Sequence, residues 1–562
     1  MKKFIFSVAT VSLLLGVSWH NRLAFLTTFA PLLSELRSPV PANRAVNWSK
    51  GPEEAVTNIS ERPPNIILIL ADDLGFNDVS LYNGGAADGS LQTPNIDSLA
   101  EQGVRFNNAY SGAAVCAPAR ASLLTGRYST RFGFEFNPTN PATAMISQWV
   151  QDLEKPYPPM LINHDVVDQM PEGASLGMPT TEITIAEMLK AAGYYTAHIG
   201  KWHVGLAEGM HPLDQGFDQS LRMMGVDKNG QSKAGLLYLP EDHPDVVNAK
   251  REDQVVERMV WSNAVYNVFW DRNENMQPEG YLTDYFSKEA EKVIENNQHR
   301  PFFLYLAHWG VHNPLQATRG DYEALAHIED HHLRVYAAMI KALDRGIGTI
   351  TNALQANGLA ENTLVLFTSD NGGAGYIGLS DINRPYRGWK LNHFEGGIHV
   401  PLIVKWPTRL GSGLNFEAAV HHVDLFKTIA AAAGVDTPQD RTIDGVSLLP
   451  FLLGNEKGNP HETLFWLQGH HQTVLHQGWK LISANQPDKA TWLFNLNEDP
   501  TETRNLAAER PEKLAELKKL LAEHRAAQAP PLWPSLIDSP QLIDKHGGMA
   551  FEPDDEYVYW PQ

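Results

Sequence analysis

The chain has 562 residues, of which 43% are hydrophobic and 20% are charged, a balance typical of a globular protein with one large domain and room for a smaller one. Its 45 basic and 65 acidic side chains give a formal net charge of −20, which argues against nucleic acid as a partner. The single cysteine, Cys116, excludes an intramolecular disulfide.

The N-terminus has the pattern of a targeting segment. Two lysines precede an apolar run over residues 4–17, as in a secretory signal. A second apolar run over residues 23–33 leaves an uncleaved anchor open, and only that alternative would place the protein at a membrane. We expect a signal peptide or N-terminal anchor over residues 1–38 of an exported protein, periplasmic or secreted. Scattered Pro, Asn and Ser over residues 39–61 predict a linker.

The first predicted strand is the apolar run over residues 65–71, which has the continuity of a buried central strand. It ends in Asp72 and Asp73. Ligand sites in open α/β sheets gather at the carboxyl ends of strands. Two adjacent aspartates there favour a metal site over an ordinary helix N-cap.

Cys116 opens the sequence Cys-Ala-Pro-Ala-Arg. Pro118 suits the first turn of a helix, and Gly126 suits its C-terminal end. Cys116 would then lie at the positive N-terminal end of that helix, with Arg120 one turn away on the same face. This arrangement favours an anion-binding pocket, and a small buried cysteine before an ordinary helix is the alternative.

Strands and helices alternate as far as about residue 455, which predicts a large α/β domain over residues 62–455. Residues 128–182 and 206–282 lack periodicity and predict irregular insertions at the mouth of a site. Predicted strands cover residues 194–199, 301–307, 363–369 and 400–406, and predicted helices cover residues 94–103, 183–192, 283–297, 333–357 and 424–433.

The pattern changes after about residue 455. Four short strand candidates and a charged helix predict a smaller antiparallel sheet with one helix over residues 456–530. The last residues, 531–562, are rich in Pro and aromatic side chains and predict a tail that wraps the surface. The strand candidates are residues 464–467, 473–475, 479–483 and 492–496, and the helix covers residues 511–526.

A second pair of polar side chains, Asp370 and Asn371, follows the predicted strand 363–369 as Asp72 and Asp73 follow the first strand. Alone, the sequence Asp-Asn-Gly-Gly would indicate a turn, but the repeated placement favours a metal site. These oxygen donors are the ligands that calcium or magnesium prefers. Without a histidine partner they disfavour zinc.

Five basic side chains follow predicted strands or glycine-rich turns, where the backbone can approach a ligand closely. Together they would form a clamp for an oxyanion. They are Arg120, Lys201, His203, His312 and Lys390.

These segments, with Cys-x-Pro-x-Arg and the following Leu-Thr-Gly-Arg, resemble the formylglycine-dependent sulfatases of the alkaline phosphatase superfamily. The resemblance covers roughly residues 62–510, in order. It implies a catalytic domain with a large mixed sheet flanked by helices, and sulfate monoester hydrolysis. Val311 and Asn313 depart from the Pro-His-x-Pro of many members, although His312 and Pro314 are kept.

The resemblance also implies a mechanism. A formylglycine-generating or anaerobic sulfatase-maturing enzyme would oxidise Cys116 to formylglycine, whose hydrated aldehyde attacks sulfur. Arg120 and Lys201 would hold the diol, and His203 would take the proton of its second hydroxyl. His312 and Lys390 would bind sulfate, and one of them would protonate the leaving alcohol. The implied metal is Ca²⁺, with Mg²⁺ as the alternative, held by Asp72, Asp73, Cys116, Asp370 and Asn371.

The expected substrate is a sulfated saccharide rather than a small aryl sulfate. Arg384, Arg387 and Trp389 offer donors and an aromatic face to a pyranose ring, although each could simply fold its loop. The alternatives are a general arylsulfatase, a phosphate or phosphonate monoester hydrolase on the same fold, and an exported carbohydrate-binding protein with an inactive site.

Overall fold

The computed structural model describes residues 39–55, 61–82, 84–86, 88–138, 158–171, 175–227, 232–249, 264–272, 274–485 and 489–562. The predicted signal or anchor over residues 1–38 lies outside the described residues. Among the helices of the described part, none is both long and apolar enough to cross a membrane.

A ten-stranded mixed sheet forms the centre of the molecule and confirms the predicted fold class. Its strands are numbered along the chain. From one edge of the sheet to the other they are β11 (Glu274–Met276), β10 (Val268–Trp270), β6 (Gln219–Arg222), β5 (Tyr195–Gly200), β12 (Phe302–Ala307), β1 (Asn65–Ala71), β14 (Thr363–Ser369), β15 (Leu402–Lys405), β2 (Val104–Phe106) and β16 (Leu414–Phe416).

The five strands from β6 to β14 run parallel. In this register Ile66 of β1 lies between Phe303 and Leu364 of its two neighbours. All seven residues of β1 are buried, as expected for a parallel strand covered on both faces. The carboxyl ends of the five strands therefore meet at one edge of the sheet, where the polar residues after β1, β5, β12 and β14 emerge.

Most of the helices cover the two faces of this sheet, and the last one packs on a smaller sheet. They are α1 (Pro94–Glu101), α2 (Cys116–Thr125), α3 (Ile185–Ala191), α4 (Leu282–Asn296), α5 (Arg319–Ala324), α6 (His331–Ala356), α7 (Glu395–Ile398), α8 (Asp424–Ala433), α9 (Leu449–Leu452) and α10 (Pro511–Ala526).

Alternate residues of β1 face two different cores because successive side chains of a strand point to opposite faces. Ile67 and Ile69 pack with the helices α4 and α6. Ile66 and Leu68 pack on the other face with α2 and α8. Full burial of each such side chain contributes roughly 1.5–3 kcal/mol, so both faces hold the central strand firmly.

A smaller antiparallel sheet follows, as predicted. Its strands are β18 (Thr463–Gln468), β19 (His471–His476), β20 (Trp479–Ala484) and β21 (Ala490–Asn495), in that spatial order. Leu517 and Leu521 of α10 pack against Val474, Leu481 and Leu493 of the sheet.

The chain termini of the described part pack onto these sheets. β22 (Ile537–Leu542) pairs with β23 (Tyr557–Pro561) and with β4 (Leu161–Ile162). Trp48, in the stretch predicted as a linker, is buried and donates its indole N–H to Glu289 at 2.8 Å. Three further pairs of strands lie outside these sheets: β3 (Ala109–Tyr110) with β17 (Val420–His421), β7 (Met224–Val226) with β8 (Ser232–Ala234), and β9 (Val246–Asn248) with β13 (Gln316–Thr318).

The prediction that residues 206–282 are irregular is wrong in part, since β6, β10 and β11 extend the main sheet from this stretch. The sequence of β6, Gln-Ser-Leu-Arg, has no apolar run. Its polar side chains are satisfied by tertiary partners instead, and the Ser220 hydroxyl lies 2.9 Å from Nδ1 of His198. Such pairing across a sheet has no local signature in the sequence.

Candidate active site

Asp72 and Asp73 continue directly from β1 into the edge where the parallel strands end. Both carboxylates are buried. Asp73 has a φ of 60°, a conformation that is uncommon for a residue with a Cβ atom. Its N–H donates to Oδ1 of Asp370 at 3.2 Å, while the N–H of Asp370 donates to the carbonyl of Ala71 at 3.1 Å. The two aspartate segments are thus joined, as their parallel strands predict.

Cys116 is the first residue of α2, which Gly126 ends with a φ of 68°. Its Sγ lies 3.7 Å from Oδ1 of Asp72 and 3.9 Å from Oδ1 of Asp73. Burial, followed by the nearby charge of Asp370, raises the pKa of the Cys116 thiol to about 12. The side chain therefore stays a thiol at neutral pH, although it faces the centre of the carboxylate cluster.

Arg120 and Lys201 neutralise the carboxylates on one side of Cys116. The guanidinium of Arg120 donates to Oδ2 of Asp370 at 2.7 and 2.9 Å and to Oδ2 of Asp72 at 3.1 Å. The ammonium of Lys201 lies 2.7 Å from the same oxygen of Asp72. Arg120 also donates to the Lys201 carbonyl at 2.9 Å, so the two cations form one rigid unit.

Lys390, His312 and Tyr376 surround Asp73 on the other side. The Lys390 ammonium lies 2.7 and 2.8 Å from the two carboxylate oxygens. Nε2 of His312 lies 3.5 Å from Oδ2 of Asp73 and 3.5 Å from the Lys390 ammonium. The Tyr376 hydroxyl donates to Oδ2 at 3.1 Å. Tyr376 was not predicted, and its only sequence signal is its place just after Asp-Asn-Gly-Gly.

His203 completes the predicted set, and its backbone has a φ of 63°. Burial and the neighbouring charges of Lys201 and Arg120 hold its pKa well below the usual range. Burial likewise holds the pKa of His312 well below the usual range, against the opposing effect of Asp73. Both imidazoles are therefore neutral at neutral pH and able to accept a proton.

The carboxylate and amide oxygens of this edge fit a hard divalent cation, and a thiol and an imidazole lie beside them. Asp72, Asp73, Cys116 and His312 each place a ligating atom within 4.8 Å of the others. The buried Oδ1 of Asn371 has no hydrogen-bond partner, and an orphaned carbonyl oxygen beside carboxylates is a ready cation ligand. In this arrangement the carboxylate oxygens of Asp370 accept hydrogen bonds from Arg120 and from the Asp73 N–H.

Two of the three predicted substrate contacts are engaged within the protein itself. The Arg387 guanidinium is held by Asp544 at 2.6 Å and by Glu556 at 2.5 Å, so it ties its loop to the C-terminal tail. Trp389 is buried, and its ring packs so closely on Gly375 that an added Cβ there would lie 2.8 Å from it. Arg384 is 69% exposed and pairs with Asp381 at 2.7 Å, so it is the most accessible of the three.

The fold and the site together define a class of protein. Oxygen donors and three buried cations converge on one buried cysteine at the carboxyl edge of a mixed α/β sheet. Such a site is built to hold a cation and a tetrahedral oxyanion side by side. This is a hydrolase of anionic esters.

Comparison with known proteins narrows the class. The profile of the Sulfatase family matches residues 64–435, and that of the N-sulphoglucosamine sulphohydrolase C-terminal region matches residues 389–527. The chain therefore belongs to the sulfatase family, whose members are metal-dependent, and it is a sulfuric ester hydrolase. Family membership supports sulfate ester hydrolysis, the predicted reaction, over the alternatives.

Individual relatives are similar over most of their length. Steryl-sulfatase from Mus musculus is 29% identical over 534 residues, which cover 80% of this chain and 79% of the relative. N-acetylgalactosamine-6-sulfatase from Homo sapiens is 30% identical over 505 residues, which cover 84% and 87%. A solved structure of Ps i-CgsB in complex with k-i-k-neocarrahexaose is similar with a TM-score of 0.68 and 29% identity, covering 84% of this chain and 95% of that chain.

Proposed function

We propose that this sulfatase removes sulfate from a sulfated saccharide and that Cys116, matured to formylglycine, supplies the nucleophile. The observation that carries the proposal is the position of Cys116, whose Sγ faces Asp72 and Asp73 at 3.7 and 3.9 Å. The cations needed for an anionic ester stand on both sides of it.

Chemistry explains why the cysteine needs modification. A buried thiol with a raised pKa is a weak nucleophile. Its attack on sulfur would also leave a thiosulfate ester with no internal route of release. Formylglycine would supply a hydrated aldehyde, from which one hydroxyl attacks while the other permits release of sulfate. A maturing enzyme must therefore act on this chain before it is active.

The metal site in this proposal consists of Asp72, Asp73, Asp370 and Asn371, with residue 116 beside it. An all-oxygen set of this kind favours Ca²⁺, with Mg²⁺ as the alternative. When bound, the cation would lower the pKa of the attacking hydroxyl and offset the charge of the sulfate group. The carboxylates of Asp72 and Asp73 would then be freed from their bonds with Lys201 and Lys390.

The remaining residues hold the ester and move protons. Lys390 and His312, 3.5 Å apart, are placed to bind sulfate oxygens and to protonate the leaving alcohol. Arg120 and Lys201 would orient the nucleophile, and the hydrogen bond from Arg120 to the Lys201 carbonyl would hold the two side chains in place. His203, kept neutral by burial and adjacent cations, would accept a proton when sulfate is released.

The saccharide assignment is supported by two similarities and one residue. N-acetylgalactosamine-6-sulfatase is named for a sulfated sugar, and the structure of Ps i-CgsB was solved in complex with k-i-k-neocarrahexaose. Arg384 is exposed on the loop that leads to Lys390. The similarity to steryl-sulfatase favours a second candidate, a general sulfatase of small apolar alcohols.

A panel of substrates separates the two candidates. We would measure kcat/KM of matured protein on sulfated mono- and oligosaccharides, a steryl sulfate and a chromogenic aryl sulfate. Higher kcat/KM on a saccharide, reduced by Arg384→Ala, supports the proposal. Clear preference for the aryl or steryl ester, with Arg384→Ala without effect, would overturn the saccharide assignment. Cys116→Ala serves as the inactive control.

Export is also part of the proposal, and it is supported by the two lysines and the apolar run over residues 4–17. An exported enzyme would meet polysaccharide outside the cytoplasm. Fractionation of cells that express the full chain, followed by N-terminal sequencing, would detect export and cleavage. A full-length protein found only in the cytoplasm would contradict it.

A further inference from the structure

A lysine of the smaller antiparallel sheet is completely buried against the main domain. Lys480 of β20 has its ammonium 2.7 Å from Oε1 of Glu395 and 2.8 Å from Oε1 of Glu502, and all three side chains are buried. The backbone N–H of Glu395 donates to Oε2 of Glu502 at 2.7 Å. We call Glu395, Lys480 and Glu502 the lysine network.

The lysine network joins two parts of the chain. Glu395 begins α7 in the main domain, whereas Lys480 and Glu502 belong to the smaller sheet and the segment that follows it. The other oxygen of Glu395 accepts hydrogen bonds from Tyr110 at 3.0 Å and pairs with Nδ1 of His399 at 2.9 Å. Every oxygen of Glu395 is thus engaged, and its position is set from both sides.

Glu395 follows Lys390 by five residues, and the segment between them is bound to both halves of the active site. The N–H of Lys390 donates to the carbonyl of Gly373 at 3.0 Å, just beyond Asp370 and Asn371. The N–H of Leu391 donates to the carbonyl of Ala114 at 2.9 Å, two residues before Cys116.

The residues that follow Glu395 form backbone hydrogen bonds with nearby parts of the same loop. The N–H of Gly396 donates to the carbonyl of Arg387 at 2.7 Å, and the N–H of Gly372 donates to the carbonyl of Gly397 at 3.0 Å. A Cβ added at Gly396 would lie 2.2 Å from the carbonyl oxygen of Gly388. The backbone is packed so tightly that a shift of Glu395 would be passed on to Lys390.

Backbone strain lies at both ends of this connection. Leu391, beside Lys390, has a φ of 70°, and Glu502 has a φ of 58°. Residues with a Cβ atom persist in this left-handed region only when surrounding contacts hold them there. The lysine network supplies such contacts at Glu502 and, through the segment described above, at Leu391.

Removal of the Lys480 ammonium would leave the carboxylates of Glu395 and Glu502 facing each other without solvent. This is far more costly than the loss of an exposed ion pair. The network therefore gives the segment one well-defined position. The hydrogen bonds and ion pairs of the network do not include Cys116 or the four metal-site residues, so its effect on the reaction passes through the backbone on either side of Glu395, which reaches Lys390 in one direction and Gly372 in the other.

We propose that Glu395, Lys480 and Glu502 are positioning residues that fix the ammonium of Lys390 beside Asp73, so that the smaller sheet completes the active site of the main domain. The inference rests on the proposed function only in assigning Lys390 to the chemistry.

The test compares hydrogen exchange with kinetics in the full matured chain. In Glu395→Gln we expect amides of residues 387–399 to exchange about tenfold faster. We expect kcat on the best saccharide sulfate to fall about tenfold or more, with KM changed by less than about threefold. The double variant Lys480→Met with Glu502→Gln keeps the net charge of the network and is a second route to the same result if Glu395→Gln does not fold.

The matched control is Leu517→Ala, which removes a buried side chain of the smaller sheet's core without touching the network. It should lower Tm but leave kcat and exchange of residues 387–399 within about twofold of wild type, since its effect is on stability alone. Unchanged exchange in the folded network variants, or faster exchange with unchanged kcat, would overturn the inference. A wild-type chain that is inactive on every sulfate ester would count against the proposed function. Hydrogen exchange of residues 387–399 would still show whether the lysine network holds the segment in position.

Discussion

The guanidinium of Arg120 donates two hydrogen bonds to a single oxygen of Asp370, at 2.7 and 2.9 Å. A third bond to Asp72 at 3.1 Å links the ends of two parallel strands. A planar guanidinium can hold this fork, whereas an ammonium on a flexible stem cannot. Arg120 thus fixes the spacing of the Asp72 and Asp370 carboxylates beside Cys116.

We expect Arg120→Lys to lower kcat/KM by about 100-fold or more, because the fork that aligns both carboxylates is lost. Steady-state kinetics and metal content by elemental analysis would measure it. Arg127→Lys is the control, since Arg127 pairs with Glu182 near the same helix but outside the cluster. Full activity of Arg120→Lys would show that the fork is structural only.

Lys390→Ala and His312→Ala should lower kcat strongly, by about 100-fold, because the charge that they meet develops on the sulfate and the leaving oxygen. KM should change much less. Lys405→Ala is the control: the Lys405 ammonium donates to Gln102 away from the active site, so this variant should behave as wild type. A raised KM with unchanged kcat would demote both residues to binding groups.

Asp370→Ala and Asn371→Ala should reduce retained divalent cation and lower activity by orders of magnitude. Elemental analysis of the purified variants and calcium titration of chelator-treated wild type would test this. Because the cation would bind only the folded state, its removal should also lower Tm. Asp370→Ala with normal metal content and activity would refute the ligand assignment.

Cys116 should carry the modification in protein made by a competent host. Trypsin releases a peptide that runs from Phe106 to Arg120, and its mass should show sulfur replaced by an aldehyde oxygen. The fraction modified should track kcat across preparations. Fully active protein with only unmodified thiol would contradict the assignment.

Asp78 makes stability depend on pH. Burial raises its pKa from 3.8 to about 8, although the Tyr336 hydroxyl and the Gly75 N–H both donate to it. The folded state therefore binds the proton more tightly than the unfolded chain. The contribution is fully present below the unfolded pKa and falls by about 1.4 kcal/mol per pH unit as pH rises towards the folded pKa.

Asp78→Asn mimics the protonated side chain, so it should raise Tm relative to wild type at pH 8 and much less at pH 5. Thermal unfolding at the two pH values measures the difference. An equal change in Tm at both values would show that Asp78 does not titrate in this window.

The sequence was sufficient for the parts of the fold and site that have a local signal. The unbroken apolar runs before Asp72 and before Asp370 predicted two central strands, and parallel pairing then required their ends to meet. Cys116, Pro118 and Gly126 predicted α2 because a helix start and stop each have their own residue preferences.

What the sequence could not show depends on partners far along the chain. Arg387 resembled a sugar-binding group, but Asp544 and Glu556 occupy its guanidinium. Lys480 lies in an ordinary-looking strand, and nothing near it indicates burial against Glu395. Tyr376 follows a glycine-rich turn without any motif of its own.

All ten residues of α2 are buried, and Cys116 is only 2% exposed. The helix is enclosed by the sheet, α3 and α8. If Cys116 is matured as proposed above, a modifying enzyme could not reach its side chain in the folded structure. Maturation would then compete with folding: the enzyme would have to act on an extended segment, and a molecule that closes its sheet first would stay an inactive thiol form.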